Sequence, residues 1–242
     1  MSFRLDETAW SSPWRRYAVA DKAVPALGTL AAVLLLPAWP ATPVVVAGLT
    51  AVALIAARVR PGAWLAAVAA PLVFVLVGAA SVAVQVGARP WVSAESVHQA
   101  LTVLGRGSAG ACALILLAAT TPMVDLLDAM RRLRIPAPLL DIAALMYRLV
   151  FVVWDSAATI REAQAGRLGY STARASRHSF GALGAGLLVR SWRRARRLED
   201  GMAGRGYDGD IRTLPTPRDH SPLLLVASGA WLAGLVTVGV LG

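Results

Sequence analysis

The 242-residue chain is 57% hydrophobic and 16% charged, with a mean hydropathy of +0.59, which excludes an ordinary soluble domain and places it among helical membrane proteins. Its formal net charge is +10, and Arg131 to Arg218 hold 16 of the 24 basic residues against 7 of the 14 acidic ones. A localised basic block in such a chain marks a cytoplasmic face; nucleic acid is not the expected partner, because neither an aromatic-interleaved patch nor a reader motif accompanies the charge.

In chain order, Met1 to Lys22 carry a basic leader without a signal-peptide pattern. Five apolar runs are predicted to span the membrane: Val24 to Trp39, Ala41 to Ala57, Ala63 to Val86, Ala100 to Thr121 and Pro222 to Leu241. A span needs about 20 apolar residues, so the first two are short. Arg106 stands inside the fourth run, where it either faces the bundle interior or snorkels to the surface. Loop charges put the N-terminus inside and the C-terminus outside. Leu139 to Trp154 is apolar enough to be a sixth span, but spanning there would place the basic block outside and bury Asp141 and Arg148 in lipid. It is read as cytoplasmic or interfacial.

Three amphipathic helices are predicted between the fourth and last spans. The first has Thr121 as its cap, Pro122 at its first position and Asp125 at its positive end, and closes at Pro136 and Pro138. Asp125 and Asp128 are read as a cluster that offsets the helix dipole. The second runs from Pro138 to Arg167 with Asp141, Arg148, Asp155 and Glu162 as a polar stripe. The third follows Gly169 to Thr172, sets Leu183, Leu187, Ser191, Ala195, Leu198 and Met202 on one face and the arginines from Arg190 to Arg197 around the rest, and ends near Gly204.

Each of the two longer helices closes on a glycine-flanked arginine: Gly166-Arg167-Leu168 in A-Q-A-G-R-L-G-Y, and Gly204-Arg205-Gly206 in M-A-G-R-G-Y-D-G. One arginine alone is a cation stabilising a helix C-terminus by about 0.3 to 1 kcal/mol. The matched pair resembles the Ala-Arg-Gly signatures of the transmembrane T component of energy-coupling factor transporters, and R-G-Y-D-G-D-I-R-x-L leans to the cobalt branch, the CbiQ type. The resemblance covers most of Thr120 to Leu214, including T-T-P, L-R-R-L-x-I-P and M-Y-R. Both signatures have glycine where that family usually has alanine, at Gly166 and Gly204, and Leu168 replaces the usual glycine of the first.

What the resemblance implies is an all-α integral membrane protein. It has about five transmembrane helices and a cytoplasmic set of three coupling helices, divided as a membrane domain 1–121, coupling helices 122–218 and a C-terminal span 219–242. The implied role is a non-catalytic coupling subunit of an ATP-driven importer, for cobalt ion or alternatively nickel or a vitamin, in a bacterial or archaeal cytoplasmic membrane. Gly166, Arg167, Leu168, Gly204, Arg205 and Gly206 would dock into two ATPase subunits, beside a membrane substrate-binding subunit and a small accessory one. The chain is expected to hold no cofactor, ATP and Mg residing on the ATPases, since no G-x-x-x-x-G-K-[ST] loop is present. His98, His178 and His220 are scattered, so no metal site is expected, and Cys112 has no partner for an intramolecular disulfide. Two other classes fit the sequence less well. A membrane enzyme acting on lipid phosphates would need paired acidic metal ligands, and none is apparent. A basic scaffold on anionic lipid leaves the duplicated signature without a reason.

Overall fold

The computed structural model describes residues 2–39, 41–84, 92–207 and 218–241, and their regular structure is helical. In chain order the helices are α1 (Ser2–Ser11), α2 (Val19–Leu35), α3 (Ala41–Ala51, continued by a π-helical turn Val52–Ala56), α4 (Pro61–Ala83), α5 (Ala94–Thr120), α6 (Met123–Arg132), α7 (Ala137–Gly166), α8 (Ala173–Ala203) and α9 (Pro222–Leu241). The chain divides into two compact units, one of Met1–Ala129 with Thr216–Gly242 and one of Met130–Pro215. It is an all-α membrane protein.

In the first unit α5 is the axis against which α2, α3 and α4 pack. Its inward face is built from small residues, among them Ala109, Cys112 and Ala113, all fully buried, so neighbouring backbones approach closely, as in membrane bundles generally. At Gly105 and Gly107 the approach leaves no room for a side chain: a Cβ would lie 2.5 Å from Thr42 Oγ1 and 2.8 Å from Val75. Val33, Val45, Leu49, Trp64, Leu116 and Leu235 complete the core. Outward-facing Val73, Phe74, Val77, Leu223 and Val226 are exposed, as expected where lipid is the solvent.

Arg106 faces inward. Its Nη2 donates to the carbonyl of Leu36, the residue closing α2, at 3.1 Å, where a cation meets the negative helix end. The N-terminus of α6 differs from expectation: Thr121 Oγ1 is buried and bonded to nothing among the described residues, and the first amide of α6, Met123 N, donates instead to Asp6 Oδ1 at 3.4 Å. Asp125 lies in the first turn of α6, as expected of an acid at the positive helix end, and is in addition buried and ion-paired with Arg218.

By length and composition four helices suffice to cross a bilayer: α4, α5, α7 and α9 over Pro222–Gly239. The first two predicted spans, α2 and α3, fall short of that length, whereas α7, which the charge argument withheld from the membrane, reaches it. Within the second unit Asp141 is buried but does not stand alone, because Arg131 Nη2 donates to its carboxylate. Arg134, at φ 61°, ends the turn after α6, and Pro136 precedes α7 as its cap residue rather than closing α6.

Candidate docking site

The site is built by the ends of α7 and α8 in the second unit. A helix leaves its last carbonyls unpaired, and a residue in the left-handed region lets the chain turn back to satisfy them. At the end of α7 the amide of Gly169 donates to Gln164 O at 2.8 Å and that of Leu168 to Ala165 O at 3.0 Å, with Leu168 at φ 57°. At the end of α8 the amide of Tyr207 donates to Met202 O at 3.1 Å and that of Gly206 to Ala203 O at 3.1 Å, with Gly206 at φ 74°. The two pairs of bonds are the same Schellman closure. Aligned on the left-handed residue, Leu168 matches Gly206, Arg167 matches Arg205 one position before it, and Gly166 matches Gly204 two positions before it.

All six predicted site residues are exposed. Both arginine side chains therefore leave the chain from the same point of the same backbone turn, at a helix end whose negative pole favours a cation. Arg205 Nη1 folds back onto Gly201 O at 2.9 Å. Leu168, 73% exposed, sets an apolar side chain beside Arg167, and Tyr207, 43% exposed, stands next to the second turn. Nothing lies within 4 Å of a Cβ built at Gly166, so the glycine there is not forced by crowding.

The first turn is braced by side chains to which no sequence motif assigns a task. Gln164 Nε2 donates to Ser179 O at 3.0 Å while its Oε1 accepts from Tyr170 Oη at 2.7 Å. Ser179 Oγ donates to Gly169 O at 2.8 Å, and a Cβ at Gly169 would meet that hydroxyl at 2.6 Å. Thr172 caps α8 by accepting from Ala175 N at 3.2 Å. These contacts lock the start of α8 to the end of α7; farther along, Gly186 faces Ile160, and a small cleft between the helices is lined by Val152, Val153 and Ser156 on one side and Leu187, Arg190, Ser191 and Arg194 on the other. Leu183, Leu187, Ser191, Leu198 and Met202 are half-buried, as their common face predicts, whereas Ala195 is exposed.

No group of three or more His, Cys, Asp or Glu side chains that would hold a metal ion occurs among the described residues. His98 and His178 are exposed, and His220 Nδ1 lies 3.1 Å from Asp21 Oδ1.

Comparison with known proteins places this geometry in a family. The sequence profile described as CbiQ, cobalt transport protein, matches residues 11–216. The chain is 37% identical over 238 residues, 98% of each chain, to a protein of Rhodobacter capsulatus named cobalt transport protein CbiQ. It is 31% identical over 244 residues, 95% of this chain and 40% of the other, to a putative fused cobalt transport protein CbiMQ of Methanocorpusculum labreanum. An uncharacterized protein of Methanocaldococcus jannaschii is 36% identical over 127 residues, 52% of this chain and 47% of the other.

Proposed function

This chain belongs to the CbiQ family of cobalt transport proteins, and we propose that it serves there as the non-catalytic coupling subunit of an ATP-driven cobalt importer in the cytoplasmic membrane. In this reading Arg167 and Arg205 dock into two equivalent ATPase subunits, which supply ATP and Mg chemistry from outside this chain. The observation that carries the proposal is the likeness of the two helix ends: one arginine immediately before the left-handed residue of each, on the same hydrogen-bonded turn, exposed in both. A lone helix-end cation needs no partner. Two copies of one backbone device suit two copies of one groove. The name of the fused relative joins two parts in one chain, which supports a membrane partner beside this one, here the substrate-binding subunit.

In a partly desolvated groove a charge-assisted hydrogen bond contributes about 1.5 to 3 kcal/mol. Arg167→Ala or Arg205→Ala is therefore expected to weaken association by roughly ten- to a hundredfold. The second docking event is intramolecular once the first has formed, so losing both costs far more than losing either. The double variant, inserted at normal abundance, is expected to retain no ATPase subunit in a pull-down. Retention at the wild-type level would return both arginines to simple helix-end stabilisation.

A further inference from the structure

The unit containing α7 and α8 is joined to the first unit by two crossings of the chain, one after Ala129 and one after Pro215. Asp125 stands on α6 just before the first crossing, and Arg218 is the first described residue after the second. Inside the first unit these two side chains form an ion pair, Arg218 Nη2 donating to Asp125 Oδ1, with exposures of only 16% and 9%. The second carboxylate oxygen, Asp125 Oδ2, is buried without a hydrogen-bond partner among the described residues. A buried pair is a poor device for stability, because desolvation offsets most of its attraction; its strength is that it fixes which segments lie together.

The surroundings tie the same place to the membrane helices. Lys22 Nζ of α2 donates to Thr120 O, the last residue of α5, at 3.0 Å. Asp21 Oδ2 accepts from Ser221 N at 2.8 Å, immediately ahead of α9, and Asp21 Oδ1 meets His220. Ala18 N donates to Asp219 O at 3.0 Å, and Asp219 N donates to Arg16 O at 3.2 Å. The segment 218–221 is thus held by α6 through one side-chain pair, by α2 through the Asp21 carboxylate, and by the backbone of Arg16 and Ala18 just ahead of α2.

We propose that the Asp125–Arg218 pair is a clamp that binds the two crossings into one mechanical base, so that a load on α7 and α8 reaches α6 and α9 together. The coupling half of this proposal rests on the function proposed above; the clamp itself does not. Without the pair, displacement of α8 moves the chain ahead of α9 while leaving α6 behind, and ATP hydrolysis no longer drives transport in step.

The test uses Asp125→Asn and Arg218→Gln, with Arg218→Lys as the variant that keeps a cation. For the full chain in lipid nanodiscs, hydrogen exchange of the α6 amides and of residues 219–225 should rise at least about tenfold in the first two variants, with α4 and α5 unchanged. Unaltered protection in those segments overturns the clamp. In proteoliposomes holding the whole importer, ATP hydrolysis should stay within about twofold while cobalt uptake per ATP falls about tenfold, and Arg218→Lys should restore most of it. Wild-type uptake per ATP in assembled Asp125→Asn and Arg218→Gln importers overturns the coupling role. If Asp125→Asn fails to insert, Arg218→Gln carries both measurements. A wild-type chain that captures no ATPase and supports no uptake defeats the proposed function, and the exchange measurement still decides the clamp.

Discussion

Leu168 and Gly206 hold the same left-handed position at two helix ends, at φ 57° and 74°, and only one of them is a glycine. A Cβ in that region costs about 1 to 2 kcal/mol, so Leu168→Gly should stabilise the end of α7 by about 0.5 to 1 kcal/mol once the added freedom of glycine in the unfolded chain is set against it. Gly206→Ala should destabilise the end of α8 by about 1 kcal/mol, since an alanine there meets the backbone penalty without any compensating contact. Thermal unfolding in detergent checks both signs, and a less stable Leu168→Gly chain would contradict the strain argument. Leu168 is also an exposed apolar group beside Arg167, so under the proposed function the same substitution should weaken ATPase capture by removing contact area beside the arginine. Sequence alone paired the two arginines because the glycine-arginine pattern repeats. It did not reveal that they share one backbone position, since the bonds from Gly169 to Gln164 and from Tyr207 to Met202 depend on the left-handed residue between, and leucine is a poor sign of that conformation.

Among the helices, continuous apolar runs located α4 and α9 to within three residues, whereas α5 begins at Ala94, six residues ahead of the apolar run that starts at Ala100, because its first turns are mixed in polarity; the glycine and proline punctuation located α7 and α8. The helix α1 was missed because Ser2–Ser11 is short and mostly polar, leaving no periodic apolar face to recognise. Its use, in part, is to bring Asp6 to the start of α6, a contact between positions too far apart in the chain for a capping pattern to show. The brace between α7 and α8 was equally illegible, because Gln164 reaches Ser179 across a turn whose geometry sets the pairing. Its consequence is asymmetry: the turn at Arg167 is held by a second helix, whereas Arg205 is held by a carbonyl of its own helix. Gln164→Ala removes two hydrogen bonds of about 1 kcal/mol each and leaves Tyr170 Oη without that acceptor. Amides of Leu168 and Gly169 should then exchange several-fold faster, with those of Gly206 and Tyr207 unchanged. Equal loosening at both ends would mean that the turns are coupled through the length of α8.

At the scale of the whole molecule the open matter is whether α7 crosses the membrane, for which its length and apolar composition suffice. Contacts inside the first unit constrain the answer. Lys22 at the start of α2 bonds to Thr120 at the end of α5, and Asp21 bonds to Ser221 at the start of α9, so the chain leaves after α5 and returns before α9 on the same side of that unit. Between those points it must cross the bilayer an even number of times. If α7 crossed, α8 would have to cross back, yet α8 carries Arg174, Arg177, Arg190, Arg193, Arg194, Arg196 and Arg197 and is not among the helices apolar enough to span. Each arginine at the centre of a span costs about 2.5 to 3.5 kcal/mol even on insertion scales. Zero crossings is the remaining even number, in agreement with the concentration of positive charge on the inner side. With Cys112 replaced by serine, a cysteine at exposed His178 should therefore react with a membrane-impermeant maleimide only after the cells are opened, and one at exposed Val92, across α5 from Thr120, should react in intact cells. Labelling of position 178 from outside would place α7 through the membrane, require a second crossing by α8 against its charge, and put the Arg167 turn on the opposite side from the Arg205 turn, so that no cytoplasmic ATPase could meet both.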